Sequence, residues 1–95
     1  MTELLEAARD VMKDIGMWHL EIGEQYSGEV SASGYVGVTQ DSCICCWISV
    51  AGDKYEVRVK VGVNNMLDDK EFDLADPACL EHLKGYITDC IRKYV

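Results

Sequence analysis

Three side chains that favour non-covalent contacts recur at spacings that a β-sheet could bring together: Tyr35, Trp47 and Arg58. Aromatic rings and guanidinium groups are over-represented at binding surfaces, and a guanidinium above an indole ring makes a cation–π contact. If these residues occupied neighbouring strands on one face, with Met17 beside them, that face would suit docking onto another molecule. We expect these four residues to contact a partner.

A second set of candidates lies in the carboxylate-rich segment NNMLDDKEFDLAD. Its acidic side chains could attract a basic protein surface, because opposite charges accelerate and orient association. The four that we expect to contact such a partner are Asp68, Asp69, Glu71 and Asp73. The alternative is a solvated acidic loop that only favours solubility.

Thiol and imidazole groups raise the question of metal binding or nucleophilic catalysis. Cys79 and His82 are three positions apart, and Cys43 with Cys45 could complete a set of four zinc ligands. The spacings do not match a standard zinc finger or ribbon, and carboxylates near Cys79 would oppose thiolate formation. We expect no catalytic residue, metal or cofactor, although metal binding by these four residues stays an open alternative.

The composition predicts one folded domain spanning residues 1–95, with 48% hydrophobic and 27% charged residues. Seventeen acidic and nine basic residues give a net charge of −8, which disfavours nucleic acid and anionic lipid as partners. The expected partner is a protein with a basic surface, or a second copy of the chain. Five cysteines, an odd number, argue against a disulfide scaffold. The acidic amphipathic start is not a secretory signal, so we expect a cytoplasmic location and no membrane partner.

Hydrophobic periodicity predicts the elements that would position these groups. Apolar residues from Leu4 to Ile15 recur at helical spacing, and Gly16 suits the left-handed residue that follows a helix. Alternation with period two then predicts strands at 17–22, 30–39, 43–50 and 55–63. A connector at 64–76 leads to a second helix, whose predicted inner stripe is Leu80, Leu83, Ile87, Ile91 and Tyr94.

These elements predict the α+β class. The expected fold is a single domain with the order helix, four-stranded antiparallel meander, helix (αββββα), and with both helices packed on one face of the sheet.

The turns predict how the strands pair. A two-residue turn at Gly52 and Asp53 places Trp47 opposite Arg58. A three-residue turn at 40–42 places Tyr35 beside Trp47 and keeps the apolar residues of both strands on the helical side. The same pattern brings Met17 near Tyr35, so that the four candidate residues form one row on the open side of the sheet.

The function that we predict from the sequence is that of a non-enzymatic protein-interaction module. It would bind a partner, or itself, through the open sheet face, the acidic surface or both. One alternative is an acidic nucleic-acid mimic that inhibits a nucleic-acid enzyme. In size and charge the chain resembles small acidic phage proteins that inhibit nucleases, anti-CRISPR proteins included, although it shares no motif with them. Further alternatives are a small secretion-type chaperone and a sheet that binds RNA or single-stranded DNA.

Overall fold

The computed structural model describes residues 2–24, 30–37, 43–61 and 65–94. The elements in chain order are α1 (Thr2–Ile15), β1 (Trp18–Glu24), β2 (Val30–Val36), β3 (Ile44–Ala51), β4 (Lys54–Val61), β5 (Asn65–Asp73) and α2 (Cys79–Tyr94). The strands form one antiparallel sheet in the order β1 to β5. Both helices pack on the same face, with α1 over β1 to β3 and α2 over β3 and β5. The predicted α+β class, the meander and the shared helical face are confirmed.

The predicted number of strands is wrong, because the acidic segment taken for a connector forms the fifth strand. β5 pairs with β4 from Lys54↔Asp73 to Val61↔Asn65, with a bulge opposite the step from Val59 to Lys60. Five of the nine residues of β5 are charged, so the alternation that marks a half-buried strand is weak there. Charged side chains are common on edge strands, where they discourage pairing with other chains.

The register of β3 with β4 is confirmed, including the pair Trp47↔Arg58 next to the two-residue turn. The register of β2 with β3 differs by two residues from the prediction, because Ser33, not Tyr35, pairs with Trp47. Their connection runs from 37 to 43, and the turn predicted at 40–42 falls outside the described residues. A shift of two residues keeps every side chain on its own face, so the hydrophobic pattern cannot detect it.

β1 contains a β-bulge that changes the direction of its first side chain. Trp18 pairs with Tyr35 and Glu21 with Ser33, so two residues of β1 lie opposite one residue of β2. The extra residue reverses the alternation. Trp18 therefore points away from the helices, whereas Ile22, beyond the bulge, packs against the core as predicted.

Met17 was predicted to lie on the open face, and the end of α1 explains why it does not. Gly16 is left-handed, with φ +97°; its N–H donates to the Lys13 carbonyl (3.0 Å), and the N–H of Met17 donates to the Met12 carbonyl (3.1 Å). This pair of bonds is a Schellman motif, in which the residue after the glycine commonly packs back on the helix. Met17 is only 5% exposed and belongs to the same core cluster as Met12, so the prediction that places Met17 on the open face is wrong.

The core lies between the sheet and the helices. The predicted apolar stripe of α1 is confirmed, since Leu5, Ala8, Val11 and Met12 are buried. The buried stripe of α2 is Cys79, Leu83, Ile87 and Cys90. Leu80, which was predicted to face the core, is instead 41% exposed. The buried stripe includes Cys79 and Cys90, and it is therefore centred on a different side of the helix from the predicted one.

A close approach between α1, β1 and β2 occurs at Gly34. A Cβ atom added there would lie 2.8 Å from Cδ2 of Leu20 and 3.3 Å from Sδ of Met12. Glycine is therefore the residue that lets α1 pack this closely on the sheet.

Neither described helix combines the length and the apolar character required to cross a membrane.

Candidate binding face of the sheet

The side of the sheet that points away from the helices, here called the open face, carries the side chains that could contact a partner. No described helix or strand covers it. Three rows of residues cross all five strands or most of them, and a shorter fourth row contains Ala51, Lys54 and Asp73. The aromatic row contains Trp18, Tyr35, Cys45 and Lys60, the central row contains Glu21, Ser33, Trp47, Arg58 and Asp69, and the serine row contains Gly23, Ser31, Ser49, Glu56 and Glu71.

Trp18 is the most exposed large apolar side chain among the described residues, at 51%. Its ring centroid lies 5.9 Å from that of Tyr35, with 32° between the planes, and 6.3 Å from that of His19. The ring of His19 also meets Tyr35 edge to face at 5.6 Å. Pairs at these separations stabilise one another, so the indole is held in place although half of it faces solvent.

The backbone at His19 is in the left-handed region, with φ +56°, the only such non-glycine residue among those described. It is the first of the two bulge residues, a position that glycine usually fills in bulges of this kind. Its ring Nε2 lies 3.4 Å from Oε1 of Glu21, and both side chains are largely exposed. Strained backbone of this kind costs of the order of 1 kcal/mol and concentrates at functional sites.

The second aromatic contact of the open face joins Trp47 and Lys60. The ammonium of Lys60 lies 4.6 Å from the centroid of the indole, which is a cation–π distance. Arg58 lies opposite Trp47 in the sheet, and its guanidinium lies 3.5 Å from a carboxylate oxygen of Glu56. Because the register of β2 against β3 is shifted by two residues, Tyr35 lies in the aromatic row with Trp18. It does not lie beside Trp47, as was predicted.

Small, uncharged side chains form the floor between these aromatic groups. Ser31, Ser33, Ser49 and Cys45 are buried although they lie on the open face. Burial, followed by the neighbouring Cys43, raises the pKa of the Cys45 thiol from 9.0 to about 11. Burial likewise raises the pKa of Tyr35 above its ordinary value. Both groups are therefore protonated at neutral pH.

The four acidic candidates of β5 do not share one face. All are exposed, but Asp68 lies opposite Val59 and so on the helical side of the strand, whereas Asp69 and Glu71 lie on the open face. The sequence had placed these residues in one solvated loop. The strand separates them because successive side chains of a strand alternate between faces.

Two of these carboxylates have partners within the chain. Glu71 lies 3.5 Å from the ammonium of Lys54. Asp73 accepts a hydrogen bond from the N–H of Ala75 at 2.9 Å. This part of the acidic surface is therefore less negative than its composition alone suggests.

The candidate zinc and nucleophile residues are not brought together. Cys79 is buried in the core, and burial, followed by Asp76 and Asp73, raises the pKa of its thiol. His82 points outward, with Nδ1 2.9 Å from Oδ2 of Asp76. Cys45 lies on the opposite side of the sheet from Cys79. Within the described ranges, no group of three or more His, Cys, Asp or Glu side chains could hold a metal ion.

No protein-family model matches this sequence, and comparison with curated proteins and with solved structures finds no match either.

Sequence reasoning did not place Trp18 on the open face, and it did not predict the contact between Lys60 and Trp47. Strict alternation assigned Trp18 to the core, and the signal that could have corrected this is Gly16, because a Schellman ending would bury Met17 and restart the alternation after it. The two-residue turn at Gly52 and Asp53, which places Trp47 opposite Arg58, also places Lys60 opposite Cys45 on the open face. Diagonal neighbours of long side chains lie within reach across antiparallel strands, so this contact was predictable from the register of β3 with β4.

Proposed function

We propose that this chain is a non-enzymatic binding module that docks onto another protein through the open face of its sheet. Trp18 is the main support for this function. It is a large apolar residue, 51% exposed, on a face that no described element covers. Aromatic side chains of this size dominate the energetics of protein interfaces.

The free energy available at Trp18 is substantial. A tryptophan side chain can bury about 200 Å², so half of it leaves roughly 100 Å² for a partner, or about 2.5 kcal/mol. This magnitude is that of an interface hot spot. Because the indole already rests against Tyr35 and His19, less side-chain entropy is lost on docking.

The surface of the open face is uneven, because small buried side chains lie next to large ones. Ser33 and Ser49 flank the position of Trp47 in the sheet. The surface is therefore lower at the serines than at the rings beside them. Shape complementarity of this kind separates specific interfaces from flat surfaces.

The acidic surface supports a second candidate function, imitation of nucleic acid. Asp69, Glu71 and Asp73 lie at alternate positions of the edge strand β5. Residues two positions apart along a strand are separated by about 6.8 Å. A regular row of carboxylates on an edge could occupy a basic groove. The internal partners of Glu71 and Asp73 make this function the weaker of the two.

Capture from host cell extract tests the two functions against each other. Immobilised wild-type chain, Trp18→Ala and Leu80→Ala would be compared. Leu80 is the matched control, because it is an exposed apolar residue in the helical layer. The docking function predicts that a captured protein is lost with Trp18→Ala, is kept with Leu80→Ala and depends little on salt. The same protein kept by Trp18→Ala contradicts it.

The mimic function predicts a different set of results. Asp69→Asn combined with Glu71→Gln would abolish capture, and binding would weaken steeply as salt rises, because exposed charges more than about 8 Å apart are screened at 0.15 M. Trp18→Ala would then leave capture unchanged.

A further inference from the structure

We propose that the occupant of the open face is a second copy of this chain, bound about a two-fold axis that runs parallel to the strands between β2 and β3. This inference rests on the proposed docking function and names its partner. Two-fold dimers are the commonest protein assemblies, and they require a surface that is complementary to itself. The open face meets that requirement in both side-chain size and charge.

The position of the axis determines which strands meet. Rotation about an axis parallel to the strands exchanges positions across the sheet and leaves positions along the strands unchanged. With the axis between β2 and β3, β1 of one copy faces β4 of the other, β2 faces β3, and each row faces the same row. Two packed sheets lie about 10 Å apart, and the twist of each sheet keeps their mean strand directions within about 30° of each other.

Close to the axis, large side chains face small ones. In the central row Trp47 of one copy faces Ser33 of the other, and in the aromatic row Tyr35 faces Cys45. Ser33 and Cys45 are small side chains that lie beneath their neighbours, so each ring faces a lower part of the surface, not another ring. Alternation of large and small residues across facing layers is how two sheets interdigitate.

Farther from the axis, opposite charges and a cation–ring pair face each other. Glu21 of one copy faces Arg58 of the other, and Trp18 faces Lys60. The side chains of Glu21 and Arg58 are 66% and 44% exposed. Crossed sheets diverge away from the axis, and these long side chains span the wider gap. Lys60, already above Trp47, would lie between two indoles.

An axis centred on β3 is less favourable. It would place β1 over β5, so that Glu21 of one copy faced Asp69 of the other, and Trp47 would face Trp47. Like charges across an interface cost free energy. The axis between β2 and β3 avoids this, because it leaves β5 outside the contact.

The net charge of −8 on each copy opposes association at low salt. Little of that charge comes from the helices, where six acidic residues are nearly balanced by five basic ones; most of it belongs to the sheet and its connections. At 0.15 M salt the screening length is about 8 Å, so exposed charges farther apart than this repel each other only weakly. The dimer is therefore measured at that ionic strength.

A mixing experiment with charge variants tests this arrangement. Glu21 and Arg58 belong to strands three spacings apart in one chain, roughly 14 Å, so they cannot pair within a copy. Glu21→Arg alone, or Arg58→Glu alone, brings like charges together twice in the dimer. In a mixed dimer of one Glu21→Arg chain and one Arg58→Glu chain, opposite charges meet at both positions.

Sedimentation velocity over micromolar concentrations gives the dissociation constants. We expect the wild-type chain to dimerise, each single variant to bind itself at least about tenfold more weakly, and the equimolar mixture to recover dimerisation. Leu80→Ala, the control in the helical layer, should dimerise like the wild type. Circular dichroism confirms that the variants are folded, which is expected because both positions are exposed.

Three results would overturn the dimer. They are a wild-type chain that stays monomeric, single variants that dimerise like the wild type, and a mixture that fails to recover. A monomer that still captures another protein through Trp18 refutes the dimer and leaves the docking function standing. A further combination of results is a dimer whose dissociation constant is unchanged by the charge variants and by Trp18→Ala, together with no capture that depends on Trp18. It refutes both the proposed dimer and the docking function.

Discussion

The backbone N–H of Met17 donates a hydrogen bond to the carbonyl of Met12 at 3.1 Å, across the end of α1. This bond draws Met17 back onto the helix and into the core. The next residue, Trp18, then begins β1 on the opposite side of the sheet, where it stays half exposed. The ending of one helix thus determines which side chain is presented on the open face.

Gly16 makes this ending possible, and its replacement should weaken the fold. Its φ of +97° disfavours any residue with a Cβ, although no atom lies within 4 Å of that position. We therefore expect Gly16→Ala to lower the free energy of unfolding by about 1 kcal/mol. Gly23→Ala is the matched control, since Gly23 has equal space and no positive φ. Urea denaturation measures both, and equal effects would contradict this explanation.

The left-handed backbone of His19 gives a prediction that distinguishes backbone strain from side-chain contacts. β-branched residues tolerate this region least, so His19→Val should cost about 1–2 kcal/mol. His19→Gly loses the same ring contacts but relieves the strain, and we expect it to be close to neutral. Thermal or chemical denaturation compares the two. A His19→Gly protein as unstable as His19→Val would show that the imidazole contacts, not the backbone, determine stability here.

Tight packing at Gly34 predicts a graded response to added volume. Gly34→Val forces atoms into Leu20 and Met12 and should cost about 3 kcal/mol. Gly34→Ala should cost less, because the end of the Leu20 side chain can move. Gly85→Ala is the contrasting variant. Gly85 lies in α2 with open space around it, so alanine should stabilise the protein by about 1 kcal/mol. Stabilisation by Gly34→Ala would refute the close approach.

The buried thiols predict lower stability at alkaline pH. Cys45 has a pKa of about 11 in the folded protein against 9.0 ordinarily, and burial also raises the pKa of Cys46. Between these values the folded chain binds more protons than the unfolded chain, so the free energy of unfolding falls as pH rises. Guanidinium denaturation at pH 7, 9 and about 11 measures this. Cys45→Ala should reduce the slope, and an unchanged slope would contradict the assignment to Cys45.

The four buried thiols should react slowly with alkylating reagents at neutral pH, because the thiolate is the reactive form. Mass spectrometry after brief iodoacetamide treatment should find Cys45, Cys46, Cys79 and Cys90 largely unmodified in the folded chain. Rapid modification of Cys79 would instead indicate a reactive thiol and would favour the nucleophile alternative.

The fold was predictable wherever a local pattern determined it. The helical stripe of α1 and the register across Gly52 and Asp53 followed from period and turn type alone. The fifth strand was hidden because an edge position tolerates charges that erase the alternation. The offset of β2 against β3 was hidden for a different reason: a shift of two residues keeps every side chain on its own face, so the hydrophobic pattern cannot detect it.

The candidate face was predictable in part. Tyr35, Trp47 and Arg58 do lie on the open face, but in two rows instead of one. Met17 and Trp18 exchanged roles, because the Schellman ending and the bulge at His19 lie outside any simple alternation. The acidic candidates divided between faces once β5 formed. Strand pairing, which no local pattern specifies, determined the two rows and the division of the acidic residues, whereas the ending of α1 is a local feature that Gly16 signals.

Hydroxyl-radical footprinting of Trp18 tests most directly whether the open face is the contact surface. The full chain would be oxidised when dilute and alone, and again when concentrated or in host cell extract, with mass spectrometry reading individual residues. We predict that oxidation of Trp18 and Tyr35 falls several-fold once a complex forms, while Leu80 in the helical layer keeps its rate. A complex in which Trp18 stays as reactive as in the dilute chain, or in which Leu80 is protected instead, would contradict the account.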